Sequence, residues 1–234
     1  MLVQFAGMTV DIRARYPYME QMCSGYLAPS DATPDFAVEV TDEEIAREAD
    51  PTRELPKGYL ESLALYRKIC HEALAYDTFL FHGSALAIDG RAYLFTAPSG
   101  TGKSTHTSLW RREWGDAVTV VNDDKPLLRV TEERVFVCGT PWDGKHRLST
   151  NCQVPLAAIC LLKRGQTNSI RQITSVEAYP TLLSQTYRPR DGEDMAKTLA
   201  LLDRAVRQVK LYEMHCNISA EAARVARAGM EEKK

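Results

Sequence analysis

Apolar and polar side chains alternate over residues 1–13, around Gly7, and predict one or two short strands. "DFAVEV", residues 35–40, predicts another. Asp42 to Glu48 reads as a short acidic helix ended by Pro51. Between about Gly58 and Ala75 the period changes. Leu60, Leu63, Ala64, Ile69, Ala73 and Leu74 recur at helical spacing and predict a longer helix. From Phe79 the pattern turns to β: "SALAIDGRAYLFTA" reads as strand, Asp-Gly turn, strand. A loop of small residues follows, then a helix from Lys103 to about Trp114, on which Trp110 and Trp114 are expected to pack in the core. "AVTVV", 117–121, is a short strand. "LLRV" and "RVFVC" form a hairpin through Thr131, Glu132 and Glu133, and "PLAAICLLKR", 155–164, is a strand of the buried type. Helices near 175–187 and 193–207, a strand over 209–216 and a terminal helix over 218–232 complete the chain. This order predicts an α/β fold: a mixed β-sheet core over 76–234, with 1–75 as an α+β appendage packed on it.

Composition narrows the function classes. The 234 residues are 44% apolar and 26% charged, as in an ordinary soluble domain. The formal net charge of −2 gives no global field to recruit nucleic acid or an anionic membrane, so neither partner is expected. Six cysteines, at 23, 70, 138, 152, 160 and 216, include no C-x-x-C pair and read as buried free thiols of a reducing compartment. No apolar run approaches membrane-spanning length and the N-terminus lacks the parts of a secretory signal, so a cytoplasmic location is expected. Self-association is left open.

"LFTAPSGTGKSTHTSLW", Leu94 to Trp110, carries the candidate chemistry. A phosphate cradle needs backbone N–H groups converging without side-chain bulk, a helix N-terminus facing the anion, a Lys for the outer phosphates and a hydroxyl for Mg²⁺. Pro98, Ser99, Gly100, Thr101, Gly102, Lys103, Ser104 and Thr105 supply such a loop, with a strand before it and a helix after it. The G-x-x-x-x-G-K-[ST] pattern departs only at Ala97, where its first glycine belongs. Alanine serves there provided that its φ is not positive. The nucleotide expected is ATP or another nucleoside triphosphate, with Mg²⁺.

Three further features surround the loop. Asn122-Asp123-Asp124 follows a strand about twenty residues after Lys103, where one carboxylate can meet Mg²⁺ and a second can accept a proton from an attacking hydroxyl. His82 and Gly83 precede the strand pair. "GTPWDGKHRLS", 139–149, gathers Lys145, His146 and Arg147, which could offset charge on a transferring phosphoryl group. Trp142 in that loop reads either as a stacking or lid residue or as core.

Taken in order, His-Gly, strand, turn, strand, S-G-x-G-K-S, helix, strand and Asp-Asp resemble the catalytic domain of HPr kinase/phosphorylase. That domain shares its nucleotide-binding core with phosphoenolpyruvate carboxykinase. The resemblance covers roughly 79–165 and not 1–75. It implies an active-site role for His82, phosphate contact by Lys103, Mg²⁺ held by Ser104 with Asp123 nearby, and proton acceptance by Asp124. Two departures accompany it: Ala97 stands for the family's glycine, and "CGTPWDGKHRLS" occupies the region of the family's E-x-R-G metal-binding stretch. The expectation is a Mg²⁺-dependent kinase acting on a hydroxyl, of serine type, in a peptide, protein or small molecule. The alternative is a nucleotide-binding sensor without transfer activity. A nucleoside-monophosphate-type kinase would need an Arg-rich lid, for which only "YRPRDGED", 187–194, is available.

Overall fold

Ala6 and Gly7 both adopt positive φ, +52° and +71°, and so turn β1 (Leu2–Phe5) back on β2 (Met8–Ile12) within two residues. β3 (Phe36–Val38) joins β2 in parallel to close a three-stranded sheet. The structure, a computed structural model, describes residues 1–231. Around this small sheet lie α1 (Tyr18–Met22), α2 (Asp42–Ala46) and α3 (Lys57–Glu72). A capping box between Thr41 and Glu44 starts α2. α1 is too short to show as a period and was not expected from the sequence.

Nine strands form the second sheet: β4 (Thr78–Leu80), β5 (Ser84–Ile88), β6 (Arg91–Thr96), β7 (Thr119–Asn122), β8 (Leu127–Val130), β9 (Val135–Cys138), β10 (Gln153–Arg164), β11 (Ser169–Gln172) and β12 (Lys210–Cys216). β10 joins its two parts. Its first residues pair antiparallel with β9, and the rest runs parallel to both β6 and β12. β5 lies antiparallel between β6 and β7, and the β5–β6 hairpin turns at Asp89-Gly90, where both φ values are positive. The fold is therefore mixed α/β, with strand directions mixed as expected. β4 and β11 are additions to the expected strands.

Alternation along the strands sends side chains to two cores. Leu86, Tyr93, Phe95, Ala158 and Met214 face α4 (Lys103–Trp114) and α7 (Ala220–Met230). Ala85, Leu94, Ile159 and Leu211 face α5 (Ser175–Gln185) and α6 (Gly192–Gln208). Trp110 is fully buried and Trp114 packs partly buried beside it, so both serve the core as expected. The expected end of the last helix, at 232, lies outside the described residues. A third core holds the small sheet against α3 and reaches the larger sheet at Leu127 and Cys138, and Trp142 in the loop after β9. All six cysteines are free, and burial pushes the thiols of Cys23 and Cys138 up to about 12, which leaves them protonated and inert.

α4 also buries a histidine. Trp110 Nε1 donates to His106 Nε2 at 3.2 Å, so the ring proton sits on Nδ1, which has no partner among the described residues. Burial lowers the His106 pKa from 6.5 to about 4. The unfolded chain takes up this proton between those values while the folded chain refuses it, so stability falls as pH drops through the window. Between pH 7 and pH 5 the loss from this residue is of the order of 2 kcal/mol. We expect the melting temperature to fall over that range and the fall to be shallower in His106→Gln, as read by thermal unfolding at several pH values.

Candidate functional site

Three strand ends meet at one edge of the large sheet. β6 ends at Thr96, opposite the start of β5, since Phe95 pairs with Ser84. β7 ends at Asn122, which pairs with Ala85. The residues before β5, after β6 and after β7 are thus brought together, although they lie some forty residues apart in the chain. They are His82, the small-residue loop and the Asp-Asp pair. Ligands of α/β sheets gather at the carboxyl ends of parallel strands for the same reason.

The loop runs from Ala97 to Gly102 and enters α4 at Lys103. Gly100 and Gly102 have φ of +77° and +117°, the left-handed region that favours glycine. Ala97 does not have positive φ and is 1% exposed, so the alanine costs nothing in conformation. Gly102 caps α4 without a side chain, which leaves the first N–H groups of the helix free of any side-chain cap. Lys103 is 9% exposed and its Nζ donates to Ala97 O at 3.0 Å. Burial pulls its pKa down, and Asp124 and Asp123 pull it partly back. Arg164, the last residue of β10, reaches across and donates from Nη2 to Gly100 O at 2.6 Å. Its position follows from the parallel pairing of β10 with β6.

The two carboxylates are held differently. Asp123 is buried, and its Oδ1 accepts from Ser84 Oγ at 2.8 Å and from Thr107 Oγ1 at 3.4 Å. Its Oδ2 faces Gly144, where a Cβ would lie only 3.0 Å away. Asp124 stands with His82 Nε2 3.4 Å from Oδ1 and Lys125 Nζ 3.6 Å from Oδ2. Burial raises the Asp124 carboxyl, but His82 and Lys125 together outweigh it and set the net shift below the ordinary 3.8. His82 is itself fixed through its backbone: its N–H donates to Gln185 O and its carbonyl accepts from Thr96 Oγ1.

Asn122 organises this turn. Its Oδ1 accepts from the backbone N–H of Asp124 and Lys125, and its Nδ2 donates to Thr140 and to Trp142 O. It therefore ties the acidic turn to the 139–149 loop. The signal was visible as Asn preceding Asp-Asp-Lys, the composition of an Asx turn. Ser84, Thr107 and Arg164 were missed because each acts through a pairing that spacing does not show.

These groups line one cleft of about 800 Å³. His82, Ser99, Gly100, Gly102, Lys103, Ser104, Thr105, Asp123, Asp124, Lys145, His146 and Arg147 all border it. Pro98 and Thr101 do not. They close the loop on itself, Thr101 N–H donating to Pro98 O at 3.3 Å. Trp142 is core and cleft floor at once: it is 4% exposed, stacks on Tyr66 at 4.1 Å and donates from Nε1 to Ser62 O. Arg147, with φ of +50°, donates to Tyr18 Oη at 2.7 Å. Tyr18, Met22, Tyr59 and Leu63 of the N-terminal part also line the cleft. The Arg-containing stretch 187–194 lines a separate groove with Arg67 and His71, so it is no lid over the 97–102 loop.

Among the described residues no group of three or more His, Cys, Asp or Glu could hold a metal ion by itself, and no helix is long and apolar enough to cross a membrane. No protein-family model and no curated protein matches the chain. Among solved structures, the HPr(Ser) kinase/phosphatase from Coxiella burnetii is similar over 64% of this chain and 94% of that one, at 12% identity and a TM-score of 0.35. That is a distant likeness at the level of fold.

Proposed function

We propose that the protein is a Mg²⁺-dependent kinase that transfers the γ-phosphoryl group of ATP, or of another nucleoside triphosphate, to a hydroxyl. The observation that carries the reading is the convergence of Lys103, Asp123, Asp124 and His82 on one cleft, from three separate strand ends. The loop fits a triphosphate: two glycines with positive φ, a helix start without a side-chain cap and a buried Lys meet the needs of a polyanion. Mg²⁺ keeps waters and phosphate oxygens and takes only one or two protein ligands, a requirement that Ser104 and Asp123 meet. When bound, Mg-ATP supplies the phosphoryl group and the charge neutralisation that accompanies it.

The chain's own residues do the rest. Lys103 turns from Ala97 O to the outer phosphates. Asp123, fixed through Oδ1 by Ser84 and Thr107, would hold Mg²⁺ together with Ser104. Asp124 accepts the proton of the acceptor hydroxyl, and His82 and Lys125 keep it ionised until then. Lys145 and His146, at the rim, stand where they can meet negative charge. The test is direct: incubate the protein with γ-labelled ATP, Mg²⁺ and serine-containing acceptors, and follow ADP and labelled product. Mg-ATP left unbound at millimolar concentration would overturn the reading.

Arg164 gives a second test. Its hydrogen bond orients the Gly100 peptide, and a charge-assisted bond at an exposed site is worth about 1 kcal/mol. Arg164→Ala should weaken Mg-ATP binding about five- to tenfold by titration calorimetry, with turnover at saturation unchanged and Arg164→Lys intermediate.

A further inference from the structure

We infer that the N-terminal part selects the acceptor, and that the acceptor carries an apolar or aromatic group beside its reacting hydroxyl. The inference rests on the kinase reading above. The two sides of the cleft differ in chemistry. One side holds the phosphate loop, the carboxylates and the basic rim. The other holds Tyr18, Met22, Tyr59 and Leu63, all only half-buried and all facing the same space. None of these four side chains is charged at neutral pH; Arg147 of the basic rim meets them at Tyr18 alone, donating to its Oη at 2.7 Å with the guanidinium 5.4 Å from its ring, and leaves Met22, Tyr59 and Leu63 as the apolar stretch. Tyr18 and Tyr59 meet edge to face at 6.1 Å and 89°. Such a surface gains little from a polyol or a second nucleotide and much from an apolar side chain.

The wall is also built to hold its shape. Glu61 on α3 is fully buried, and its carboxylate accepts the backbone N–H of Arg15 at 2.7 Å and of Tyr16 at 3.1 Å. A buried carboxylate is a poor way to gain stability, and here it fixes the chain two residues before Tyr18. Gly58 lets α3 approach that segment, since a Cβ there would lie 2.8 Å from Tyr18 Cβ. Behind the wall the Ser62 carbonyl accepts from Trp142 Nε1 at 2.8 Å, which joins α3 to the cleft floor. Pre-organisation of this kind serves recognition.

The probes are N-acetylserinamide and two dipeptides, N-acetyl-seryl-phenylalaninamide and N-acetyl-seryl-aspartamide. We expect kcat/KM for the Phe dipeptide to exceed that for the Asp dipeptide by about tenfold or more. Tyr59→Ser with Leu63→Ser should abolish that preference, while leaving Mg-ATP affinity within about twofold. Tyr59→Phe should keep the preference. Equal use of the two dipeptides, a preference that survives the double substitution, or bound Mg-ATP with no transfer to any probe overturns the inference and leaves nucleotide binding standing. A wild-type protein that does not bind Mg-ATP overturns the kinase reading, and this inference falls with it.

Discussion

Asp124→Asn should bind Mg-ATP as tightly as the unaltered protein and transfer its phosphoryl group about 100- to 10,000-fold more slowly, the range expected when a general base is removed. The amide has the shape of the carboxylate and can still accept from His82, so the turn held by Asn122 should keep its geometry. What disappears is the proton acceptor. His82 and Lys125 hold the Asp124 carboxyl below 3.8, so in the unaltered protein it is ionised throughout the neutral range and ready without a prior deprotonation. The same shift stabilises the fold above the ordinary carboxyl pKa and is lost only as pH falls through the lowered value. Rapid-quench measurement of product, beside calorimetric titration of nucleotide, separates binding from chemistry. Transfer at the normal rate would remove Asp124 from the base role. Tight nucleotide binding with no acceptor found, and with Asp124→Asn indistinguishable from the unaltered protein, would identify a nucleotide sensor.

Lys103→Ala should cost about 100-fold or more in Mg-ATP affinity and leave the fold intact. An ammonium with two charge-assisted hydrogen bonds to phosphate contributes roughly 3 kcal/mol, which corresponds to a factor of about 100. The substitution is structurally mild because the side chain makes a single hydrogen bond of its own, to Ala97 O. It also removes a buried cation whose pKa burial already lowers. An unchanged melting temperature with lost binding is the expected pair of results. Retained affinity would mean that phosphates are held elsewhere.

Much of this arrangement was legible in the chain because local pattern and local structure agree. The hairpin at Asp89-Gly90, the helix from Lys103 and the turn after β7 follow from residues adjacent in sequence. The doubt over Ala97 also had a local answer, its φ. Other parts depend on register. Arg164 reaches Gly100 only because β10 runs parallel to β6, and no spacing between residues 100 and 164 reveals that pairing. The buried Glu61 reads as a solvent-facing residue until its two backbone donors are seen. Likewise Tyr18 and Tyr59 look like unremarkable aromatics forty residues apart until α1 and α3 set them side by side. Gly139 shows the same limit: a Cβ there would lie 1.9 Å from Thr150 O, a contact between chain segments that a turn-like sequence does not announce.

The packing of Trp142 bears on how this molecule could be divided. Its ring lies against Tyr66, its indole N–H ends on Ser62, and Phe5 meets it edge-on at 6.1 Å. A fragment beginning at residue 76 would therefore present a bare indole, together with Leu127 and Cys138, to water. Losing a stacked, fully packed aromatic contact costs on the order of 3–5 kcal/mol, a large share of what holds a domain of this size folded. The smallest cooperative unit that carries the 97–102 loop thus includes the first strand, and attempts to trim the protein to the larger sheet alone should yield aggregates rather than a smaller folded domain.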